Sequence, residues 1–499
     1  MAYILCLITT DFFILFWGRN WSYDNVILGA LFVAFLSVLT LSILFFMNSL
    51  QADSHVHKDH QGDLLNSYNE KGPKILWIGI DSATWTIIDP MMAMGKLPNL
   101  STLIKRGCSG KLKTFVPTHS PVIWTTKATA KSPEKHGIRD FLIYKIKGIS
   151  GYLEVKPLDP VISKILSKAA DLGLVERRPV TSLDRRALPI WDIVSELGHT
   201  VGVSSWFVTD PIEKIDGFMV PEFFYRIGHG QRDHIDSMSM AHPMNIDNDL
   251  KNLRSGINKI FDKKETEEEI REEFHIGGSI KNDEKLKFHI LKVFYLHDVL
   301  RRQVTDHLLN LFDPDMLMVY FHGVDAVQHQ FWSDRKKDQS IFKEVIPLYY
   351  EYVDSIIGRL MEKISGTKTI FITSDHGHGP VKWYKNLYNK IVGHNKISGS
   401  HANGPDGIFI ASGHGIKQNV SLQGISVYDI VPTILSILGL PVARDMDGQP
   451  ISQILDASVS PITYIDSYEG RISVGSGEAD NLKEDNEILE RLKDLGYIG

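Results

Sequence analysis

Cysteine is nearly absent. The 499 residues contain two, Cys6 in an apolar N-terminal stretch and Cys108 far from it. Such a pair builds no disulfide framework, and neither residue stands in the spacing of a zinc finger or a thiol-redox motif. Excess positive charge is missing too. Lys and Arg total 54 against 60 Asp and Glu, a formal charge of −6, so the chain has no general electrostatic pull on nucleic acid, and no nucleic-acid binding is expected. No internal repeat is present. At 43% hydrophobic and 23% charged residues, the composition fits neither a disordered chain nor a polytopic membrane protein. What remains is a large globular enzyme or binding protein, with room for two or three domains at roughly 150 residues each.

The first 50 residues read as a membrane anchor. Residues 26–47 (VILGALFVAFLSVLTLSILFFM) carry no charge; at about 1.5 Å per residue they form a helix of roughly 33 Å, enough to cross a hydrocarbon core of about 30 Å. Residues 3–17 are apolar but shorter and interrupted by Asp11, so one span or two remain open. The small-residue pattern of a signal-peptide cleavage site is missing after Met47. Arg19 precedes the main span and no Lys or Arg follows until Lys58. The positive-inside tendency then puts everything after Met47 outside the cytoplasm, at the cell membrane. Residues 51–72 are polar and read as a tether, and His55, His57 and His60 as part of a solvated spacer.

Five apolar, β-branched runs follow: 74–81 (KILWIGID), 199–206, 316–322, 369–375 (TIFITSD) and 407–412. Near-continuous apolar runs of this length suit strands buried on both faces. Helical patterns lie between them, at 98–106 and 342–364. The alternation predicts an α/β three-layer sandwich with a mainly parallel central sheet. The catalytic α/β domain is expected in two parts, 73–141 and 303–458. The charged, irregular stretch 142–302 is expected to be a cap-type insertion, with a solvated helix at 262–273. Residues 459–499 form a charged tail with a helix at 481–497.

In parallel sheets, ligand groups collect beyond the carboxyl ends of the strands. Asp81, Asp325 and Asp375 fall there. Asp325 and His329 are four residues apart, so one helical turn puts both on a single face. His376 adjoins Asp375, and His401 lies in a Gly- and Ser-rich loop. Three Asp and three His provide two sets of the nitrogen and oxygen donors that zinc prefers, without thiolates; manganese accepts the same set. The segment 118–137 adds hydroxyls at Thr118, Ser120, Thr125 and Thr126. A neutral hydroxyl is a weak nucleophile, and a bound metal ion removes that obstacle. On residue types alone, which hydroxyl acts and how the six ligands divide between two metals stay open. His136, His394 and His414 read as packing or loop residues.

These motifs together resemble the type I phosphodiesterase/nucleotide pyrophosphatase branch of the alkaline phosphatase superfamily, over about 74–447. Gly79-Ile80-Asp81 is similar to the family's first metal aspartate, Asp325 to His329 to its Asp-x-x-x-His pair, Ser374-Asp375-His376-Gly377 to its Asp-His pair, and Gly399-Ser400-His401 to its final histidine. Counting back from His136-Gly137 puts the family's nucleophile on Ser120. The segment 426–439 resembles the helix that follows. The resemblance implies an alkaline phosphatase-like fold and two divalent metals, usually zinc. One would be held by Asp325, His329 and His401, the other by Asp81, Asp375 and His376 with Ser120. It also implies a covalent phosphoserine intermediate and a phosphodiester, pyrophosphate or phosphonate substrate.

Two departures matter. The family's pyrophosphatases carry threonine as nucleophile, where this chain has Ser120. They also carry an asparagine five residues after the His-Gly histidine, where this chain has Phe141. Another group must then hold the phosphate oxygens, with Lys127, Arg139, His322 and His378 the candidates, and nucleotide specificity does not carry over. A sulfatase would need a Cys/Ser-x-Pro-Ser-Arg context, which Ser120-Pro121-Val122-Ile123 lacks. A phosphoethanolamine or phosphoglycerol transferase acting on a lipid or glycan is the alternative of the same superfamily. A non-catalytic envelope protein should have lost ligands that are all present.

Overall fold

The computed structural model describes residues 72–148, 166, 168–170, 172–227, 241–381, 398–402 and 405–470. The expected membrane span or spans (residues 3–17 and 26–47), the tether up to residue 71, His394 and the tail helix at 481–497 lie outside them. Among the described residues no helix is long and apolar enough to cross a membrane.

The strands are β1 (Lys74–Ile80), β2 (Gly107–Lys113), β3 (Leu142–Ile146), β4 (Val175–Pro179), β5 (Val201–Ser204), β6 (Gly217–Val220), β7 (Met316–Phe321), β8 (Lys368–Thr373), β9 (Gly379–Pro380), β10 (Gly399–Ser400), β11 (Gly407–Gly413), β12 (Val420–Ser426), β13 (Val442–Ala443) and β14 (Tyr464–Ile465). Eight of them form one sheet in the order β12-β2-β11-β8-β1-β7-β5-β6. β8, β1, β7, β5 and β6 run parallel, and β11 runs antiparallel to both its neighbours. The helices that matter below are α1 (Ser120–Thr129), α2 (Lys285–Leu311), α3 (Gly323–Phe331) and α4 (Val345–Lys363).

Alternation along the strands divides the buried residues into two cores, one on each face. Ile75 and Trp77 of β1 and Met316, Met318 and Tyr320 of β7 pack with Ile123 and Trp124 of α1. Leu76, Ile78 and Ile80, with Leu317, Val319 and Phe321, face α2 and α4 through Leu300, Val304, Val353 and Ile357. Helix, sheet and helix make the three layers. Trp206 meets Trp77 and Trp124 edge-on at 4.8 and 5.0 Å, pairs worth about 0.5–1.5 kcal/mol each beyond their buried area. Gly79 lets α1 approach this closely: a Cβ there would stand 2.6 Å from the Trp124 ring.

The stretch 142–302 is not all cap. β5 and β6 lie within it and extend the central sheet beyond β7, and the 27-residue α2 runs across its end at 302. β5 is legible as an apolar run inside that stretch, but the four residues GFMV of β6 are too few to show a period. The solvated helix is present as Lys264–Glu273, with only Thr266 and Ile270 buried.

The direction of β11 decides where the functional residues meet. Asp81 follows β1, Asp375 follows β8, and α3 follows β7, all at the carboxyl edge of the parallel strands. Because β11 runs the other way, its amino end lies on that same edge, and His401 comes just before it.

Candidate active site and metal centre

Ser120 opens α1, with His119 as the extended N-cap residue. Backbone N–H groups at such a terminus carry partial positive charge that favours an anion. Of the four candidate hydroxyls, three are engaged. Thr118 Oγ1 meets His401 Nδ1 at 2.9 Å, Thr125 Oγ1 donates to the Pro121 carbonyl at 2.7 Å, and Thr126 Oγ1 meets His136 Nε2 at 2.9 Å. Ser120 Oγ is buried and, among the described residues, has no hydrogen-bond partner.

The acidic and histidine groups fall into three overlapping triads. Ligand atoms lie within 4.8 Å of one another in Asp81–Asp375–His376, in Asp325–His376–His401 and in Asp325–His329–His378. His376 Nε2 lies 3.1 Å from Asp375 Oδ2 and 3.8 Å from Asp81 Oδ1. His329 Nε2 lies 3.5 Å from Asp325 Oδ1. The His376 ring stacks on His401 at 4.1 Å, and His329 stands 5.0 Å from His401. The structure therefore brings Asp81, Asp325, His329, Asp375, His376 and His401 into one buried cluster. The tightest group around Asp325 and His329 is completed by His378, while His401 groups with His376.

Tautomers are set by outer partners. His329 Nδ1 donates to the Gly399 carbonyl at 3.1 Å and His376 Nδ1 to the Gly377 carbonyl at 3.2 Å. Thr118 Oγ1 donates to the His401 carbonyl at 3.0 Å, so it accepts from His401 Nδ1. In each ring Nε2 keeps the lone pair, the arrangement a metal ligand needs. Burial holds the imidazoles of His329 and His401 below the usual histidine range. Burial also pushes the Asp81 carboxyl well above its ordinary range, and the Asp375 and Asp325 carboxylates add to the push.

Three buried carboxylates share this cluster with imidazole nitrogens, and among the described residues Asp81 Oδ1 has no hydrogen-bond partner despite full burial. Both features fit divalent cations held by nitrogen and oxygen donors.

Sequence reasoning missed several supports. Tyr320 OH donates to Asp81 Oδ2, and the Ser82 N–H to Asp375 Oδ1 at 3.1 Å. His322 Nε2 and His378 Nδ1 face Asp325 at 3.7 and 3.6 Å. Lys127 is fully buried: Nζ donates to Thr373 Oγ1 at 2.7 Å and lies 3.5 Å from the Trp124 ring centre. Arg139 is half-buried. Of these groups, Lys127, Arg139, His322 and His378 stand out in the sequence through their neighbouring motifs, whereas Tyr320 and Ser82 carry no signal.

A model of the family described as type I phosphodiesterase / nucleotide pyrophosphatase matches residues 75–428. The chain belongs to that family. Its buried Asp and His groups are of the kind that could hold metal ions. Among curated proteins, the 2,3-bisphosphoglycerate-independent phosphoglycerate mutase of Gloeobacter violaceus is 29% identical over 162 residues, 30% of this chain and 26% of that protein. The enzyme of the same name from Metamycoplasma hominis is 27% identical over 215 residues, 41% of this chain and 37% of that protein. The chain thus covers well under half the length of these relatives. The crystal structure of wild-type alkaline phosphatase PafA superposes with a TM-score of 0.50 at 13% identity, covering 77% of this chain and 99% of that one; this likeness shows the fold of the family member.

Proposed function

We propose that the protein is a phosphohydrolase anchored to the cell membrane by its N-terminal segment, with its catalytic domain outside the cytoplasm. It cleaves phosphodiester, pyrophosphate or phosphonate bonds of a small-molecule, lipid or glycan substrate through a phosphoserine on Ser120. The observation that carries this reading is the state of Ser120: among the described residues its Oγ, alone of the candidate hydroxyls, finds no partner, and it stands at a helix N-terminus.

Asp81, Asp375 and His376 would hold one divalent cation beside Ser120, and Asp325, His329 and His401 a second. Zinc or manganese would supply Lewis-acid stabilisation of the charge that develops on the reacting oxygens. Ser120 Oγ forms a bond to phosphorus as the bond to the leaving oxygen breaks, and the N–H groups of the first turn of α1 offset charge on the phosphoryl oxygens. Hydrolysis of the phosphoserine restores the hydroxyl.

The test compares wild type with Ser120→Ala against chromogenic phosphodiester, monoester, phosphonate and sulfate substrates, with metal content measured in parallel. Wild type should bind about two equivalents of zinc or manganese and turn over phosphorus substrates. The variant should lose turnover while retaining metal. Unchanged turnover in the variant would move the nucleophile elsewhere. Activity only with lipid phosphoryl donors would make the enzyme a transferase.

A further inference from the structure

Ser82 follows Asp81 with φ at +61°, a left-handed conformation that glycine adopts freely and serine does not. Such backbone persists where its surroundings over-determine it, and here they do. The Ser82 N–H donates to Asp375 Oδ1 at 3.1 Å, its carbonyl accepts from Gln328 Nε2 at 2.9 Å, and its Oγ lies 2.7 Å from His378 Nδ1. His378 Nδ1 in turn stands 3.6 Å from Asp325 Oδ1, with its ring 4.7 Å from that of His329. Gly399 packs close to the far side of the ring: a Cβ there would stand 2.6 Å from His378 Nε2. Three consecutive contacts therefore connect a carboxylate of one proposed cation position to a carboxylate of the other.

We propose that Ser82 and His378 are positioning residues that act as a strut between Asp375 and Asp325 and fix the separation of the two cation positions. The proposal rests on the two-cation reading above. Backbone of Ser82 holds Asp375, the imidazole of His378 holds Asp325, and the hydroxyl–imidazole contact locks the two halves. The hydroxyl is the piece that a side-chain change at 82 removes, because the N–H contact to Asp375 belongs to the backbone.

Manganese(II) is the probe. Metal-free full-length protein is titrated by calorimetry, and the loaded protein is examined by electron paramagnetic resonance, which reads magnetic coupling between ions roughly 3.5–4 Å apart. Wild type should take up two equivalents and give a coupled spectrum. Ser82→Gly relieves the backbone conformation, so it should fold at least as well. It should still bind one equivalent about 10- to 100-fold more weakly than wild type, the range for lost outer-shell support, and its coupling should change at saturation. His378→Leu should do the same, and His378→Gln, which keeps an N–H donor, should recover part of both signals. Wild-type affinities and an unchanged coupled spectrum in Ser82→Gly and His378→Leu would overturn the strut. So would metal loss in His378→Leu alone, which would make His378 a direct ligand. If wild type binds fewer than two equivalents, the two-cation reading itself fails, a result distinct from either.

Discussion

Thr118 Oγ1 meets His401 twice, at Nδ1 across 2.9 Å and at its carbonyl across 3.0 Å. Thr118 is two residues before Ser120, and His401 precedes β11, so this side chain joins the loop of the proposed nucleophile to the loop of a proposed ligand. Thr118→Val keeps the shape and removes the acceptor that sets the His401 tautomer. The expected result is about 10- to 100-fold weaker binding of one metal equivalent, with a correspondingly smaller kcat and little loss of fold. Calorimetric zinc titration checks it; unchanged affinity would show that His401 needs no such orientation.

A buried polar cluster behind the site carries the next expectation. Asp298 Oδ1 accepts from Arg301 Nη1 at 2.8 Å, and its Oδ2 accepts from Tyr349 OH at 2.8 Å and the Gly323 N–H at 3.2 Å. Arg301 is fully buried; its Nε donates to Ser205 Oγ at 2.7 Å and its Nη2 stands 3.8 Å from Glu222 Oε1, so Asp298→Ala removes its nearest carboxylate and leaves only the more distant one. Breaking a buried pair from one side costs about 3–5 kcal/mol. Gly323 starts α3, which carries Asp325 and His329, so metal affinity should fall with stability. Denaturant unfolding measures the first effect; a loss under about 1 kcal/mol would contradict the assignment.

Much of this framework is legible in the chain, and the rest is hidden for identifiable reasons. β1, β7 and β8 announce themselves because both their faces are buried, and the Asp residues at their ends are readable from position. β2 (GCSGKLK) and β12 (VSLQGIS) are not legible, since exposed positions interrupt their apolar residues. The close approach that Gly107 and Gly110 permit to β11 and β12 exists only after pairing. Supports of the site are hidden by distance along the chain. Tyr320 reaches Asp81 because the β1–β7 register sets Gly79 opposite Tyr320, and Ser82 meets His378 only when β1 and β8 lie side by side. Single residues of ordinary type have no pattern to reveal such roles.

The pH dependence of stability should have an unusual contribution from Asp192. Burial, then the Glu213 carboxylate, pushes its carboxyl up to about 8, although Arg185 opposes the shift. An unfolded aspartate titrates near about 3.9. Between those values the folded protein binds the extra proton, so this contribution is complete below about 4 and is lost as pH rises through about 8. Asp192→Asn cannot ionise and escapes the loss. Melting temperatures of variant and wild type should diverge steadily from about pH 5 to pH 8 in the variant's favour, then run parallel. A constant gap over that range would mean that Asp192 is not held protonated.

Lys127 offers a test of charge balance at the centre itself. Burial drives its ammonium well below the ordinary lysine range, while Asp375 and Asp81 pull the other way. Among the described residues no carboxylate lies within ion-pairing distance of Nζ; its hydrogen bond goes to Thr373 Oγ1, which also accepts from Trp77 Nε1 at 2.9 Å. Lys127→Met fills a similar volume against Trp124, and Thr373 keeps its bond from Trp77, so no donor is left stranded. In the metal-free protein the change removes positive charge from beside two carboxylates, which should lower the melting temperature. With zinc or manganese bound, the cations supply that charge and the lysine only opposes them, so the variant should melt at or above wild type and bind metal more tightly. The order of the two proteins should thus reverse between chelator and saturating metal. A variant less stable in both conditions would show that Lys127 supports packing alone, and one indistinguishable from wild type in both would show that its charge does not reach the carboxylates.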